Sequence, residues 1–137
     1  MLSRIDVLIR MEQDFAIETT LATRSYVDLI RSARNTGYKI KLVYFWLRSP
    51  QEAIVRVATR VSKGGHHIPD DVIQRRYYRG IYNLFKLYIK VCDNWLLVNN
   101  TQTIPELVCE GEFNSSITIF NDDIWEIIKN QSDVNKT

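Results

Sequence analysis

Between Arg56 and Gly80 the chain reads RVATRVSKGGHHIPDDVIQRRYYRG, with five arginines, one lysine, a Gly-Gly pair and a His-His pair. The planar fork of an arginine matches phosphate oxygens in both geometry and charge. Arg56 and Arg60 are four residues apart, which on a helix places them on one face, one turn from each other. Beyond the glycine pair, Arg75, Arg76 and Arg79 bring at least two further guanidinium groups. Two such helices joined by a flexible hinge describe an arm that closes over phosphate. Two other readings fit the same charges. Solvated helix faces could let Asp70, Asp71 and Glu52 pair with some of the arginines. A nucleic-acid backbone could be held by an arm in which Tyr77, Tyr78 and Tyr82 interleave with them. Those tyrosines fall at helical spacing beside Ile81, Leu84 and Phe85, the pattern of core packing, so nucleic acid is the least supported partner.

Adjacent imidazoles on a chain point apart, and no cysteine or carboxylate stands at a ligand spacing from His66 and His67, so no metal site is expected there. A loop histidine such as His66 that touches a ligand phosphate is the alternative. Earlier in the chain, Phe15, Ile17 and Thr19 alternate with Ala16 and Glu18, which predicts a short strand ending at Glu18 to Thr20. A carboxylate and hydroxyls at the carboxyl end of a strand in an α/β sheet lie where ligands bind. A solvated strand end is the plainer reading of the same residues.

The elements that must position these groups follow from periodicity. Leu2, Ile5, Leu8 and Ile9 have helical spacing. A second helix is expected from about 23 to 36, capped by Thr23 or Ser25 and stopped by Gly37. KIKLVYFWLRSP is nearly continuous in large apolar residues, which predicts a central parallel strand buried on both faces. Ser49-Pro50 opens a helix in cap-then-proline order, and it stops at Gly64-Gly65. After Pro69 a further helix runs through VIQRRYYRGIYNLFKLYIKV, with a kink expected at Gly80. NWLLVNN reads as a third strand, and ELVCEGEFNSSITIFNDD as a short antiparallel hairpin around EFNSS. A last helix opens at Asp122 and Asp123, and the polar tail QSDVNKT is expected to fray. The alternation predicts an α/β fold with a mostly parallel sheet and an antiparallel C-terminal edge, in one domain over 1–137.

Bulk properties narrow the function. Eighteen basic against sixteen acidic residues leave a net charge of +2, so any anion site must be local. Cys92 and Cys109 stand in apolar surroundings and build neither a disulfide framework nor a metal knuckle, which fits a reducing, cytoplasmic setting. The longest apolar run, Leu42 to Leu47, falls far short of the roughly 20 residues that cross a bilayer. Arg4, Asp6 and Arg10 interrupt the start in a way that a signal-peptide core does not. No membrane partner is expected.

The ordered pieces ETTL, GYKIKLVYFWL, RVATRVSKGGHHIP, RRYYRGIYNLF and WLLVNN resemble the zeta-toxin family of P-loop kinases, in particular its short bacterial ATPase-like members, over roughly residues 11–100. The resemblance implies a three-layer, P-loop-kinase-like α/β fold with a helical lid over about 50–90. It also implies phosphoryl transfer from ATP, with Mg2+, to the 3'-hydroxyl of a sugar nucleotide, UDP-N-acetylglucosamine, in a toxin paired with an antitoxin. By the same likeness Arg56 and Arg60 match lid arginines that act at the reacting phosphates, and Glu18 and Thr20 match the substrate-binding pair. Arg75, Arg76 and His66 are further phosphate candidates.

The family pattern begins with a strand, a GxxxxGK[ST] loop and a helix, followed by an acidic base. The 137 residues contain no such loop; Lys63 precedes Gly64-Gly65 at the wrong spacing for a phosphate cradle. The expectation is therefore an N-terminally incomplete kinase domain, inactive as an isolated chain, the alternative being a non-catalytic remnant that acts by binding. Without the first strand, the DFAIETT and KIKLVYFWL strands must pair directly, admit a strand from a neighbour, or leave edges exposed, which admits a homo-oligomer through those edges.

Overall fold

The computed structural model describes residues 2–134. Helix α1 (Leu2–Arg10) is followed by α2 (Tyr26–Asn35), strand β1 (Lys41–Trp46), α3 (Pro50–Ser62) and α4 (Asp70–Asn83), which runs on into a π-helical turn, Leu84–Tyr88. Strands β2 (Asn94–Asn99), β3 (Glu106–Glu112) and β4 (Ile117–Ile119) precede helix α5 (Asp122–Ser132). The first residues of the polar tail therefore continue α5 as far as Ser132, and residues 135–137 lie outside the described residues.

Local chemistry sets the helix ends. The Ser49 hydroxyl accepts the Glu52 N–H at 3.3 Å with Pro50 in the first turn, and the Asn121 side chain accepts the Ile124 N–H at 3.1 Å. Helices α2 and α3 close in the same way. The N–H of Gly37 reaches the Arg34 carbonyl and that of Tyr38 reaches Ala33, as Gly64 reaches Val61 and Gly65 reaches Arg60. Gly37 and Gly64 have φ of 101° and 97°, the left-handed conformation that this double cap requires.

The strands form one mixed sheet in the order β1-β2-β3-β4. β1 and β2 are parallel, with Leu42 beside Trp95, Tyr44 beside Leu97 and Trp46 beside Asn99; β2–β3 and β3–β4 are antiparallel. The expected C-terminal hairpin is present, but the sheet is not mostly parallel. The connections from β2 to β3 and from β3 to β4 are too short for the crossover that a parallel neighbour needs, so the chain folds back.

Two further expectations are corrected. Residues 13–20 form no strand. A strand exists through its ladder, and no neighbour pairs with this segment; Phe15 instead sets its ring edge-on to Tyr38, whose hydroxyl donates to the Gln13 carbonyl at 2.8 Å. β1 is an edge strand rather than a central one. Leu42, Tyr44 and Trp46 turn inward, while Val43 and Phe45 face outward, 39% and 58% exposed. Its apolar run is thus buried on one face only, and the helix layer expected over the other face does not cover these residues.

On the inner face, Trp46, Trp95 and Leu97 pack with Ile81, Leu84 and Tyr88 from α4 and the π-helical turn, and with Trp125 and Ile128 from α5. Each such side chain contributes about 1.5–3 kcal/mol of burial. Leu21 and Val27 join this core, which seats the segment preceding α2 on α4. The Trp46 Nε1 donates to Gln131 Oε1 at 2.8 Å, tying β1 to α5. Helix α4 runs unbroken through Gly80 to Asn83, and the π-helical turn Leu84–Tyr88 follows it.

Candidate functional site

β1 and β2 end side by side, where the Asn100 N–H donates to the Trp46 carbonyl at 2.8 Å and the Arg48 N–H to Thr101 Oγ1 at 3.1 Å. The Arg56 side chain reaches back from α3 and donates from Nη2 to the Asn100 carbonyl at 2.6 Å. Its guanidinium is thereby held at the carboxyl ends of the parallel pair, the position at which open α/β sheets bind ligands. Arg60 lies one turn further on and is exposed.

The Glu18–Leu21 loop is built against α4. Thr19 and Thr20 side-chain oxygens accept the N–H groups of Leu21 and Ala22 at 3.2 and 3.3 Å, so each hydroxyl turns its own backbone. Leu21 adopts φ of 60°, rare for a side chain of this size. Two contacts hold it there: its side chain is in the core, and its carbonyl accepts the buried Asn83 Nδ2 at 2.7 Å. Tyr88 donates its hydroxyl to the Thr23 carbonyl, fixing the far end of the segment. Between them Gly80 meets the Thr20 carbonyl so closely that a Cβ would overlap the oxygen. The glycine serves this approach.

Positions 76, 80 and 83 share one stripe of a helix. Arg76 therefore lies on the row that carries the Glu18–Leu21 loop, one turn before Gly80; Arg79, one turn before Asn83, borders it, and Arg75 is in the next row. Helix α3, with Arg56 and Arg60, packs against α4. The Thr20 carbonyl thus lies against α4, the helix that carries Arg76, with Arg56 and Arg60 on the neighbouring α3, and Glu18 is exposed two residues before Thr20. His66 stands apart, exposed in the 63–69 loop with no hydrogen bond or ion pair.

Electrostatics sharpens the arrangement. The ion pairs among the described residues are Arg31–Asp28, Arg34–Asp93 and Lys129–Glu126, none of which involves the arginines of α3 or α4. Glu52 accepts the Arg48 N–H at 3.3 Å instead, and Asp70 and Asp71 sit at the positive end of α4. The carboxylate pairing that the sequence allows does not form. Arg56/Arg60 and Arg75/Arg79 repel at i,i+4 spacing, and an anion would relieve that. Beneath them, burial pushes the hydroxyls of Tyr44 and Tyr77 well above the usual tyrosine range, so both stay neutral. Among the described residues no three His, Cys, Asp or Glu side chains gather to hold a metal ion, and no helix is long and apolar enough to cross a membrane.

Gly80 and Asn83 were not among the expected site residues. A polar Asn83 inside the apolar run IYNLF is the signal that could have pointed to it.

Compared with known proteins, residues 2–99 match the Zeta toxin family model, well over half of the chain. The chain belongs to the zeta-toxin family. That match runs from α1 through β2 and includes every arginine of the arm, so the zeta-toxin family, a nucleotide-binding one, is the family of this chain. It is also similar to an uncharacterized protein of Haemophilus influenzae, 29% identical over 69 residues that make up 50% of this chain and 49% of that one. The chain thus matches about half the length of that curated relative. No solved structure matches the zeta-toxin-family chain.

Proposed function

We propose that this chain carries the acceptor-binding and lid parts of a zeta-toxin-type P-loop kinase, which moves the γ-phosphoryl group of ATP to a hydroxyl of a sugar nucleotide such as UDP-N-acetylglucosamine. The observation that carries this reading is the set of arginines on α3 and α4 that no carboxylate neutralises, with Arg56 fastened to the strand ends. In the reaction the acceptor oxygen bonds to the γ-phosphorus and the bond to the β–γ bridging oxygen breaks, releasing ADP. Negative charge spreads over the phosphoryl oxygens as this happens, and preorganised guanidinium groups stabilise it. Arg56 and Arg60 are assigned that role. Arg76, with Arg75 beside it, holds the diphosphate, and Glu18 and Thr20 hydrogen-bond the sugar; His66 is left as a loop residue that would need to swing in. The setting is the cytoplasm, and the regulatory partner an antitoxin.

ATP brings Mg2+ with it, and among the described residues no three His, Cys, Asp or Glu side chains cluster to hold that ion. The hydroxyl proton needs a base, and the 137 residues place none at a matching position. The isolated chain is accordingly proposed to bind without transferring. A second reading, in which the same surface acts by binding alone, fits the same unneutralised arginines. Incubating the chain with Mg-ATP and UDP-N-acetylglucosamine, and following phosphorylated sugar nucleotide by mass spectrometry, tests this. Retention of the sugar nucleotide on the chain without product is expected. Steady turnover would overturn the proposed inactivity, and failure to retain the ligand at millimolar concentration would overturn the assignment of the site.

A further inference from the structure

Helix α5 lies outside the residues that the family model matches, yet one of its side chains reaches the base of the arginine arm. Gln131 Nε2 donates to the Arg48 carbonyl at 2.9 Å, while Gln131 Oε1 accepts the Trp46 Nε1 at 2.8 Å and the Tyr77 hydroxyl at 3.2 Å. Tyr77 also donates to the Leu47 carbonyl, and the Arg48 N–H is shared between Thr101 Oγ1 at 3.1 Å and Glu52 Oε2 at 3.3 Å. Both peptide groups flanking Arg48 are therefore held, the first by Tyr77, Thr101 and Glu52, the second by Gln131. That second peptide leads directly into Ser49, the cap of α3.

We propose that Gln131 is a positioning residue of the arginine site: by fixing the Arg48 carbonyl it holds the strand ends and the start of α3 in the geometry that fastens Arg56. Two short routes connect them. Through the strand ends, Arg48 bonds the Thr101 side chain, and the peptide joining Asn100 to Thr101 accepts Arg56 Nη2 at 2.6 Å while donating its own N–H to Asn99 Oδ1 at 3.1 Å. Through α3, Glu52 is the second acceptor of the Arg48 N–H and stands one turn before Arg56. The place calls for a donor to a carbonyl and an acceptor for two donors on one uncharged group, which a glutamine amide supplies. A carboxylate would lack the donor, and an ammonium the acceptor. Without Gln131 the Arg48 carbonyl turns to water, and Arg56 samples orientations away from Asn100. That much stands apart from the kinase reading; the consequence for a phosphate-bearing ligand rests on it.

Phenylglyoxal, which modifies guanidinium groups, tests the geometry directly when the rate at Arg56 is read by mass spectrometry relative to the rate at exposed Arg60. Gln131→Met should raise that ratio about threefold to tenfold, the worth of one lost hydrogen bond. Thr101→Val, which breaks the next link, should raise it as well. Ile128→Val thins the buried face of the same helix without touching these bonds, so it should lower the melting temperature and leave the ratio at the parent value. A folded Gln131→Met chain with the parent ratio overturns the proposal, as does a Thr101→Val chain with the parent ratio or an equal rise in Ile128→Val. Calorimetric titration of UDP-N-acetylglucosamine reads the consequence: Gln131→Met should weaken binding about threefold to tenfold in the parent and leave it unchanged in an Arg56→Ala background. Equal loss in both backgrounds overturns the route through Arg56. Because the modification assay uses no sugar nucleotide, a parent that binds none would sink the kinase reading alone.

Discussion

Replacing Gly80 with alanine sets two effects of opposite sign against each other. In a helix interior alanine is favoured over glycine by about 1 kcal/mol, so propensity alone predicts a more stable protein. The added methyl, however, would overlap the Thr20 carbonyl oxygen, a backbone atom that yields only if the loop moves. That loop is held by the Asn83–Leu21 bond and by Leu21 in the core, and overpacking against such a fixed neighbour costs about 1–3 kcal/mol. The net effect expected is a destabilisation of up to about 2 kcal/mol, a fall in Tm of up to about 8 °C for a chain of this size. Thermal melts should show it, with Gln74→Ala on the exposed side of α4 staying near the parent. Because the displaced loop carries Glu18 and Thr20, affinity for a sugar nucleotide should fall as well. A Gly80→Ala chain that melts higher and binds as before would refute the close-approach account of this residue.

Asn83→Ala leaves the Leu21 carbonyl without its donor and should cost about 1–3 kcal/mol in a denaturant titration, more than a change at exposed Arg75. Arg76→Ala should lower sugar-nucleotide affinity about tenfold to a hundredfold with Tm unchanged, read by calorimetry, since it removes a charge-assisted contact from an exposed side chain. Burial pushes the Cys92 and Cys109 thiols up from about 9 to about 12. The folded state holds those protons more tightly than the unfolded one, so their contribution is complete below about pH 9 and is lost as pH rises toward 12; the midpoint of urea unfolding should fall steadily across that window. In the native protein at pH 8 the same two thiols should resist an aromatic disulfide reagent and react fully in urea.

Elements whose signals are local were legible in the sequence. Ser49-Pro50, Gly37 and Gly64 specify caps that depend on their own neighbours, and each falls where periodicity placed it. The EFNSS hairpin reads equally well, its two strands being close in sequence. What failed was non-local. Phe15 to Thr20 alternates like a strand, but alternation does not supply a ladder partner, and the segment stays irregular. The apolar run of β1 describes a strand with two covered faces, whereas this sheet offers cover for one. At the site, the arginines and the Glu18–Thr20 loop were visible from residue type, and their family match spans them. The seating of the Thr20 carbonyl against α4 was not visible. Gly80 looked like a kink because spacing cannot show what a missing Cβ makes room for, and Asn83 acts on a carbonyl 62 residues away. Whether Asp70, Asp71 and Glu52 neutralise the arginines also depended on geometry alone.

The central claim is that the α3 and α4 arginines, together with Glu18 and Thr20, form one site for a phosphate-bearing ligand. Calorimetric titration of UDP-N-acetylglucosamine into the parent chain, an Arg56→Ala/Arg60→Ala chain and a Glu18→Ala/Thr20→Ala chain tests it most directly. The account predicts saturable binding by the parent, with a loss of at least about tenfold in each double variant while the melting temperature holds. Binding that survives in both variants, or its absence from the parent at millimolar ligand, would contradict it.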